Sequence, residues 1–310
     1  MAAPSLSLSQ PVASTLLAWF AQHARDLPWR KTRDPYEILV SEIMLQQTQV
    51  DRVIPKYLAF LGQFPTLTAL AAAPTADVIR VWAGLGYNRR AVNLQRTAQT
   101  VLRDHGGVFP HDVAALRALP GIGPYTAGAV ACFAFEHDVV FLDTNIRRVL
   151  LRLTTAPDAA APPDAALLAA WQNALPAGAG WAANQAIMEL GALVCTARSP
   201  ACARCPLRAW CADYQGRVAA DTAVFSTAIP IRRVAERKEA PYAGSTRLYR
   251  GRIIAALRTL AVGETLTLAA LGPLVRDDYV DELHDWLAGL VDALARDGLL
   301  VRADDEIRLP

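Results

Sequence analysis

Four cysteines lie within one short stretch of the chain and constrain its fold more than any other feature. Cys195, Cys202, Cys205 and Cys211 follow the spacing C-x6-C-x2-C-x5-C. Two thiolates three positions apart can coordinate one metal ion. Four thiolates can form the complete ligand set of either a tetrahedral zinc site or an iron–sulfur cubane. Two disulfides or unrelated core thiols are the alternatives, and a reducing compartment disfavours disulfides. Cys132 lies apart in an apolar helix, and we interpret it as a core residue.

Apolar residues recur at helical spacing through the first 215 or so residues, and Pro and Gly separate the periodic segments. Alternating patterns that indicate strands are nearly absent, so the sequence predicts an all-α fold here. The predicted helices are Val12–His23, Ile38–Leu61 with a break at Pro55, Asp77–Trp82, Ala91–His105 and Val113–Leu119. A loop is expected over Thr154–Asp164. At 310 residues, the chain is long enough for two domains and a small appendage.

The end of the chain differs from the rest in its charge. The formal net charge of +2 does not by itself indicate a nucleic-acid partner. Residues 231–258 nevertheless carry eight basic residues against two glutamates, whereas 259–310 carry four arginines against eleven acids. Predicted helices cover Tyr249–Leu260, Leu266–Leu271 and Val280–Arg296, and a hairpin covers Leu299–Leu309. This order resembles a small winged-helix module, for which a structural or partner role is as open as DNA binding.

No stretch of the sequence predicts a membrane span or an export signal. The longest apolar runs, such as 127–135, fall far short of the roughly 18–20 residues that a spanning helix needs. The N-terminal MAAPSLSLSQ lacks the basic start and apolar core of a signal peptide. We therefore expect a cytoplasmic protein that does not bind membranes, and we separately expect a monomer.

A Gly-x-Gly turn and an isolated aspartate follow the predicted helix that ends at Leu119. Gly121 and Gly123 let the backbone approach a phosphate closely, and the next helix offers free N–H groups. A simple helix–helix turn is the alternative. Asp143 is flanked by apolar residues and must be paired or functional, because burying an unpaired carboxylate is costly. Capping of the following helix is the alternative for Asp143.

In this order, the hairpin, Asp143 and the cysteine loop resemble the endonuclease III superfamily of helix-hairpin-helix DNA glycosylases, over roughly residues 10–215. The cysteine spacing is similar to the four-iron cluster loop of that superfamily. Four further motifs resemble its MutY branch, the adenine glycosylases of base-excision repair. These motifs are 27–30 (LPWR), 41–49 (SEIMLQQTQ), 82–87 (WAGLGY) and 188–192 (MELGA).

The resemblance implies a two-lobed helix-hairpin-helix glycosylase in which the four cysteines hold one [4Fe-4S] cluster. Residues 1–30 and 135–215 would form the cluster lobe, and 31–134 a six-helix lobe with the hairpin. A basic linker over 216–248 would lead to the winged-helix-like module at 249–310. The implied partner is double-stranded DNA with a mismatched adenine, which places the protein at the nucleoid.

Excision of a purine needs a proton on the departing base and support for positive charge on the sugar. Glu42 lies in an apolar helix, where burial favours the protonated form that a general acid requires. An exposed helix carboxylate is the alternative. By the resemblance, Glu42 protonates N7 of adenine, while Asp143 stabilises the oxocarbenium ion or forms a covalent sugar intermediate. Asn145 would orient Asp143 or the attacking water.

The target base must leave the duplex before any side chain can reach it. By the resemblance, Gln47 and Tyr87 are wedge residues that fill the vacated stack and press on the opposite strand. The implied adenine pocket comprises Trp29, Arg30, Leu45, Tyr125 and Glu189. Trp29 and Leu45 are otherwise ordinary core residues. Asn88 stands where the family often has a second tyrosine.

The position two residues after Gly123 separates two mechanisms in this superfamily. Bifunctional endonuclease III enzymes carry a lysine there, whose amine attacks the sugar to form a Schiff base. This chain has Tyr125, which predicts a monofunctional glycosylase with little strand cleavage.

The last 95 or so residues do not resemble the Nudix-like domain that helps many MutY proteins recognise 8-oxoguanine. Strict dependence on 8-oxoguanine is therefore in doubt, and the basic segment 231–258 would supply phosphate contacts instead. Two other functions remain open. One is a thymine or uracil mismatch glycosylase of the same fold, and the other is a non-catalytic DNA-binding cluster protein, which the presence of both Glu42 and Asp143 disfavours.

Overall fold

The computed structural model describes residues 8, 10–219 and 242–310, and these residues form helices and one two-stranded sheet. The first helices are α1 (Gln10–His23), α2 (Pro35–Leu45), α3 (Val50–Gln63), α4 (Leu67–Ala72), α5 (Thr75–Val81), α6 (Arg89–His105), α7 (Val113–Ala118) and α8 (Pro124–Phe135). They are followed by α9 (Thr144–Thr154), α10 (Asp164–Ala174), α11 (Gly180–Leu193), α12 (Ala212–Ala219), α13 (Thr246–Arg258), α14 (Leu268–Val275) and α15 (His284–Arg296). The sheet pairs β1 (Val301–Ala303) with β2 (Glu306–Arg308). The all-α prediction, the loop between α9 and α10 and the terminal hairpin are confirmed.

Short 3-10 helices cover Pro28–Arg30, Cys202–Arg204, Arg208–Trp210 and Asp281–Leu283. Part of the predicted basic linker, with Arg232, Arg233, Arg237 and Lys238, lies outside the described residues. None of the helices in the described ranges combines the length and apolarity that a bilayer crossing requires.

The predicted helix over Ile38–Leu61 is two helices, and the break is not at Pro55. The chain turns between α2 and α3, where Gln47 adopts the left-handed φ of 54°. Pro55 lies inside α3 on its exposed face. Water can satisfy the carbonyl that the missing proline N–H leaves without its helical donor, so the helix continues. The prediction of a break at Pro55 is wrong.

The described residues divide into two compact units. The first, here the cluster unit, comprises the described residues up to 38 together with 111–117 and 122–219. The second, here the C-terminal unit, comprises 39–110, 118–121 and 242–310. These bounds differ from the predicted domain bounds, since α8 falls in the cluster unit and the C-terminal module clusters with α3 to α6.

In the cluster unit, α9 is an amphipathic helix that packs against α10, α11 and α12. Its buried apolar face includes Ile146, Val149, Leu150 and Leu153. Close packing depends on a glycine of α11, because a Cβ at Gly191 would lie 2.8 Å from Cβ of Asn145. The start of α9, the end of α11 and the cysteine loop are thereby held close together.

In the C-terminal unit, helices α13 to α15 and the hairpin form a module, here called the tail module, which packs on α5 and α6 through one apolar core. Helices α13, α14 and α15 and the hairpin surround Leu257, Leu271 and Val291, each fully buried. The same core contains Ile79 of α5 and Val92 of α6. The hairpin pairs Val301 with Arg308 and Ala303 with Glu306, and Ile307 forms a further bridge to Leu266. The three helices and hairpin occur in the predicted winged-helix order.

Candidate functional site

Asp143 caps the N-terminus of α9 in the cluster unit. Its Oδ1 accepts a hydrogen bond of 2.6 Å from the Ile146 amide, and its Oδ2 accepts one of 3.1 Å from Asn145 Nδ2. Burial raises the pKa of Asp143 above its ordinary value, although both hydrogen bonds favour the ionised form. The capping geometry considered from the sequence is therefore present. It fixes the carboxylate in position, which a catalytic role also requires.

A chain of hydrogen bonds runs from Asp143 to the cysteine loop. Asn145 accepts a 2.8 Å bond from Nη2 of Arg148, whose Nε donates to the carbonyl of Cys195 at 2.8 Å. Arg148 Nη2 also donates to the carbonyl of Gly191 at 2.7 Å. Burial lowers the pKa of this guanidinium. Arg148 was not identified from the sequence, in which nothing distinguishes it from neighbouring arginines.

The four cysteines lie on a loop between α11 and α12 that two 3-10 helices shape. All four are half-buried and free of disulfides. Arg152 braces the loop, since its Nη1 lies 3.2 Å from Sγ of Cys195 and donates to the Thr196 carbonyl at 2.7 Å. Leu207, fully buried between the second pair of cysteines, anchors the loop to the core.

The chemistry of these four thiols fits an iron–sulfur cluster. Burial raises the pKa of Cys205 to about 11 and that of Cys211 to about 12, so a coordinated metal has to displace their protons. Among the described residues, no three His, Cys or acidic side chains lie close enough together to bind a single metal ion. The four thiolates that bind a cubane each bind a different iron atom, so they lie further apart than the ligands of one ion. Arg152 supplies positive charge beside these thiolates.

Glu189 and Arg30, both predicted for the adenine pocket, form a hydrogen-bonded ion pair in the cluster unit. The Glu189 carboxylate is fully buried and accepts bonds from Arg25 and Arg30 at 2.8 and 2.9 Å. Burial opposes its charge, yet these two arginines outweigh burial and lower the pKa of Glu189 to about 2. Trp29 lies beside Arg30 and is 6% exposed. Arg25 is a partner that sequence reasoning missed.

Glu42 lies in the C-terminal unit, on the last turn and a half of α2. Its side chain is 3% exposed, so the exposed-carboxylate alternative is wrong. Leu45, three residues further on, is half-buried at the end of the helix. The two predicted catalytic acids thus belong to different units, and each is held within its own.

The two predicted wedge residues share an unusual backbone. Gln47 and Tyr87 adopt φ values of 54° and 43°, a left-handed region that costs a non-glycine residue on the order of 1–3 kcal/mol. Both side chains are exposed. Such strain persists only where surrounding contacts impose it, and it concentrates at functional positions.

One half-buried arginine, Arg90, connects the turn at Gln47 to the turn at Tyr87, here called the two wedge turns. Its Nη1 donates to the carbonyls of Ile43 and Gln46 at 2.8 and 2.6 Å. Its Nη2 donates to the carbonyls of Leu85 and Gly86 at 3.0 and 3.2 Å. Burial lowers the pKa of Arg90 to about 10. Sequence reasoning did not identify this residue, because nothing along the chain shows that these turns share one donor.

The Gly-x-Gly turn forms as predicted between α7 and α8. Gly121 has a φ of 75°, and a Cβ there would lie 2.8 Å from the Asn93 side chain, so only glycine fits. Gly123 is the N-cap of α8 and has open space around it. Tyr125, in the first turn of α8, packs edge-on against Phe141 with 5.3 Å between ring centroids.

The fold, the hairpin and the four-cysteine loop define a helix-hairpin-helix protein of base-excision DNA repair. The profile of the HhH-GPD superfamily of base excision DNA repair proteins matches residues 40–172, and that of the iron-sulfur binding domain of endonuclease III matches 195–211. Within that superfamily, the chain belongs to the adenine DNA glycosylase family. It is 40% identical over 302 residues to the adenine DNA glycosylase of Mycolicibacterium smegmatis, an alignment that covers 95% of this chain and 97% of that protein.

A second curated relative agrees with this assignment, and a solved structure agrees with the DNA glycosylase fold. The adenine DNA glycosylase of Mycobacterium tuberculosis is 42% identical over 265 residues, which are 82% of this chain and 81% of that protein. Among solved structures, a thermostable thymine-DNA glycosylase is similar with a TM-score of 0.62 and 32% identity, over 66% of this chain and 96% of that one. The iron–sulfur domain is therefore part of a chain built as a DNA glycosylase.

Proposed function

We propose that this protein hydrolyses the N-glycosidic bond of adenine mispaired with 8-oxoguanine or guanine in duplex DNA. The observation that carries the proposal is the 40% identity to an adenine DNA glycosylase over almost the whole of both chains. The four thiolates would hold one [4Fe-4S] cluster, whose bonds to the protein would fix the loop between α11 and α12. We further propose that the enzyme acts as a monomer at the nucleoid, where its substrate is.

Glu42 would act as the general acid. It would donate its proton to N7 of adenine as the bond to the sugar breaks, and so convert the departing base into a neutral leaving group. Its burial supports this role, because Glu42 is only 3% exposed. A proton on such a carboxyl group is transferred to a bound base rather than exchanged with bulk water.

Asp143 would stabilise the positive charge that develops on the sugar. Its carboxylate is already oriented by the Ile146 amide and by Asn145, so little reorganisation is needed when the oxocarbenium ion forms. Water then adds to the sugar carbon, directly or after a covalent sugar ester forms on Asp143. Tyr125 offers no amine for a Schiff base, so the enzyme would leave an intact abasic strand.

The remaining predicted residues would bind the substrate. Gln47 and Tyr87 would enter the stack that adenine vacates, since both are exposed on braced, strained turns. Trp29, Leu45 and Tyr125 would contact the flipped base. Arg30 and Glu189, bonded to each other, would line the pocket as a polar pair. The turn with Gly121 and Gly123 would bind a DNA phosphate.

Single-turnover excision on 8-oxoguanine:A, G:A, C:A and G:T duplexes tests the proposal. We expect release of adenine from the first two, loss of release in Glu42→Gln and Asp143→Asn, and no adduct on borohydride treatment. Glu37→Gln, on the same helix as Glu42, is the matched control and should remain active. Absence of adenine release from every duplex would overturn the proposal.

A thymine mismatch glycosylase is the second candidate, because a solved thymine-DNA glycosylase is 32% identical to this chain. The same panel separates the two. Thymine release from G:T that exceeds adenine release from G:A would favour the second candidate.

A further inference from the structure

A basic groove lies within the C-terminal unit, between the Tyr87 turn and helix α13 of the tail module. We call it the wedge groove. Its volume is about 1080 Å³, and its lining runs from Gln47 and residues 84–90 on one side to residues 246–258 on the other. Both predicted wedge residues therefore border this groove, and the tail module forms its opposite wall. The proposed chemistry of adenine excision assigns no role to the tail module.

The charge of the wedge groove is strongly one-sided. Seven arginines line it, and the single acidic residue in the lining is Asp297. Two of these arginines, Arg89 and Arg250, form ion pairs with that aspartate. The surplus of positive charge is therefore large, although the whole chain is nearly neutral. A groove of this kind is complementary to a polyanion.

Aromatic rings alternate with a guanidinium at the mouth of the wedge groove. Nη1 of Arg247 donates to Oη of Tyr87 at 2.8 Å, and its guanidinium carbon lies 5.8 Å from the Tyr87 ring centroid. The same guanidinium lies 5.1 Å from the ring of Tyr242. Tyr87 and Tyr242 remain 42% and 54% exposed. Exposed aromatic rings interleaved with arginine are typical of surfaces that bind nucleic acid.

We propose that the wedge groove binds the backbone of the DNA strand opposite the excised adenine, and that Arg247 is a positioning residue that holds Tyr87 against that strand. This inference rests on the proposed function for the identity of the strand. The groove begins at the two wedge turns, so a strand pressed by Gln47 and Tyr87 continues directly into it. The tail module is then part of the DNA-binding surface, through a helix rather than a β domain.

Binding measurements with Arg247→Met test the groove. The probe is a duplex with a tetrahydrofuran abasic site opposite guanine, titrated over a range of salt concentrations. We expect about tenfold weaker binding and a fall of about 1 in the slope of log affinity against log salt, as for loss of one phosphate contact. Arg276→Met is the matched control in the same module, since Arg276 lies outside the groove lining and pairs with Asp278. Equal affinities and slopes for both variants would overturn the proposal.

A double-mutant cycle tests the positioning role. If Arg247 acts through Oη of Tyr87, Tyr87→Phe and Arg247→Met should each weaken binding, and the double variant should be no weaker than the poorer single one. Additive losses would show that Arg247 does not act through Tyr87. Unchanged melting temperatures separate this outcome from a merely structural effect.

Ethylation interference identifies the bound strand. We expect ethylation to block binding at phosphates beside the wedge on the strand opposite the abasic site, and this interference to be lost in Arg247→Met. Interference confined to the other strand would overturn the assignment. Because these measurements use DNA binding alone, they remain decisive if the wild-type protein releases no adenine, which would count only against the proposed function.

Discussion

Arg148 joins the predicted catalytic aspartate to the cysteine loop, because it donates both to Asn145 and to the carbonyl of Cys195, each at 2.8 Å. Asn145 in turn donates to Asp143. The position of the carboxylate therefore depends on the loop that the four thiolates hold. Disturbance of that loop should reach Asp143 through two side chains.

We predict that Arg148→Met lowers single-turnover excision by about 10- to 100-fold, as for loss of a hydrogen bond to a charged donor. The pKa of Asp143 is already raised by burial, and the charge of Arg148 is one of the factors that lower it. Its removal raises that pKa further, so the acid limb of the pH–rate profile should move to higher pH. Arg147→Met, at an arginine that pairs with Asp164, is the control. A profile that superimposes on the wild type would contradict this prediction.

The second prediction concerns the cysteines. Cys211→Ser should lose iron and the visible absorption of the cluster, because a cubane with three thiolates is weakly held. Cys132→Ser should keep both, since Cys132 lies in α8, is fully buried and its Sγ accepts a hydrogen bond from Asn184. Iron analysis of the two purified variants gives the answer, and equal iron contents would refute the assignment of ligands.

The third prediction concerns the pH dependence of stability. The pKa of Glu189 is lowered to about 2 in the folded protein, so its stabilising effect is present above the ordinary glutamate value and is lost as pH falls towards 2. At pH 7, Glu189→Gln should lower the free energy of unfolding by about 3 kcal/mol, the equivalent of that shift. The difference from wild type should shrink between about pH 4.5 and pH 2. Urea unfolding at several pH values measures it, with the exposed Glu136→Gln as control.

Sequence patterns were sufficient for the elements and for the cysteine loop. Helical periodicity located α1, α5 to α7 and α13 to α15 to within about four residues, but it merged α2 with α3 and gave no bounds for α4 or for α8 to α12. The alternating 299–309 segment is the observed hairpin. The cysteine spacing was sufficient to identify all four thiols of the loop between α11 and α12. The break predicted at Pro55 was wrong because the free-energy cost of a proline within a helix depends on whether its position is exposed. Periodicity alone did not show that Pro55 lies on the exposed face of α3.

The partners of the charged residues were not predictable in the same way. Glu189 is paired with Arg25, 164 positions away, and Arg90 contacts carbonyls 44 to 47 positions away. Such pairs depend on which helices pack together, and a single sequence does not contain that information. The capping role of Asp143 was the exception, because a cap acts on the three residues that follow it.

The fourth prediction concerns the tail module. Leu257 is fully buried in the core that the module shares with α5 and α6, so Leu257→Ala should lower the free energy of unfolding by about 2–5 kcal/mol. Leu274→Ala makes the same change at a side chain that is 57% exposed and should cost much less. Denaturant unfolding compares them, and equal losses would contradict the shared core.

The last prediction concerns the brace between the wedge turns. Arg90→Met removes the guanidinium that donates hydrogen bonds to four carbonyls, those of Ile43, Gln46, Leu85 and Gly86. Without these bonds, the left-handed backbone at Gln47 and Tyr87 should relax. We expect a loss of about 3 kcal/mol of stability, because these carbonyls lose hydrogen bonds from a charged donor. We also expect Arg90→Met to flip the target base less than the wild type does, as measured by the fluorescence of 2-aminopurine placed at the target position. Arg96→Met, on the same helix but exposed, should leave the fluorescence change intact. If Arg90→Met flips the base as wild type does, the brace has no part in positioning the wedge.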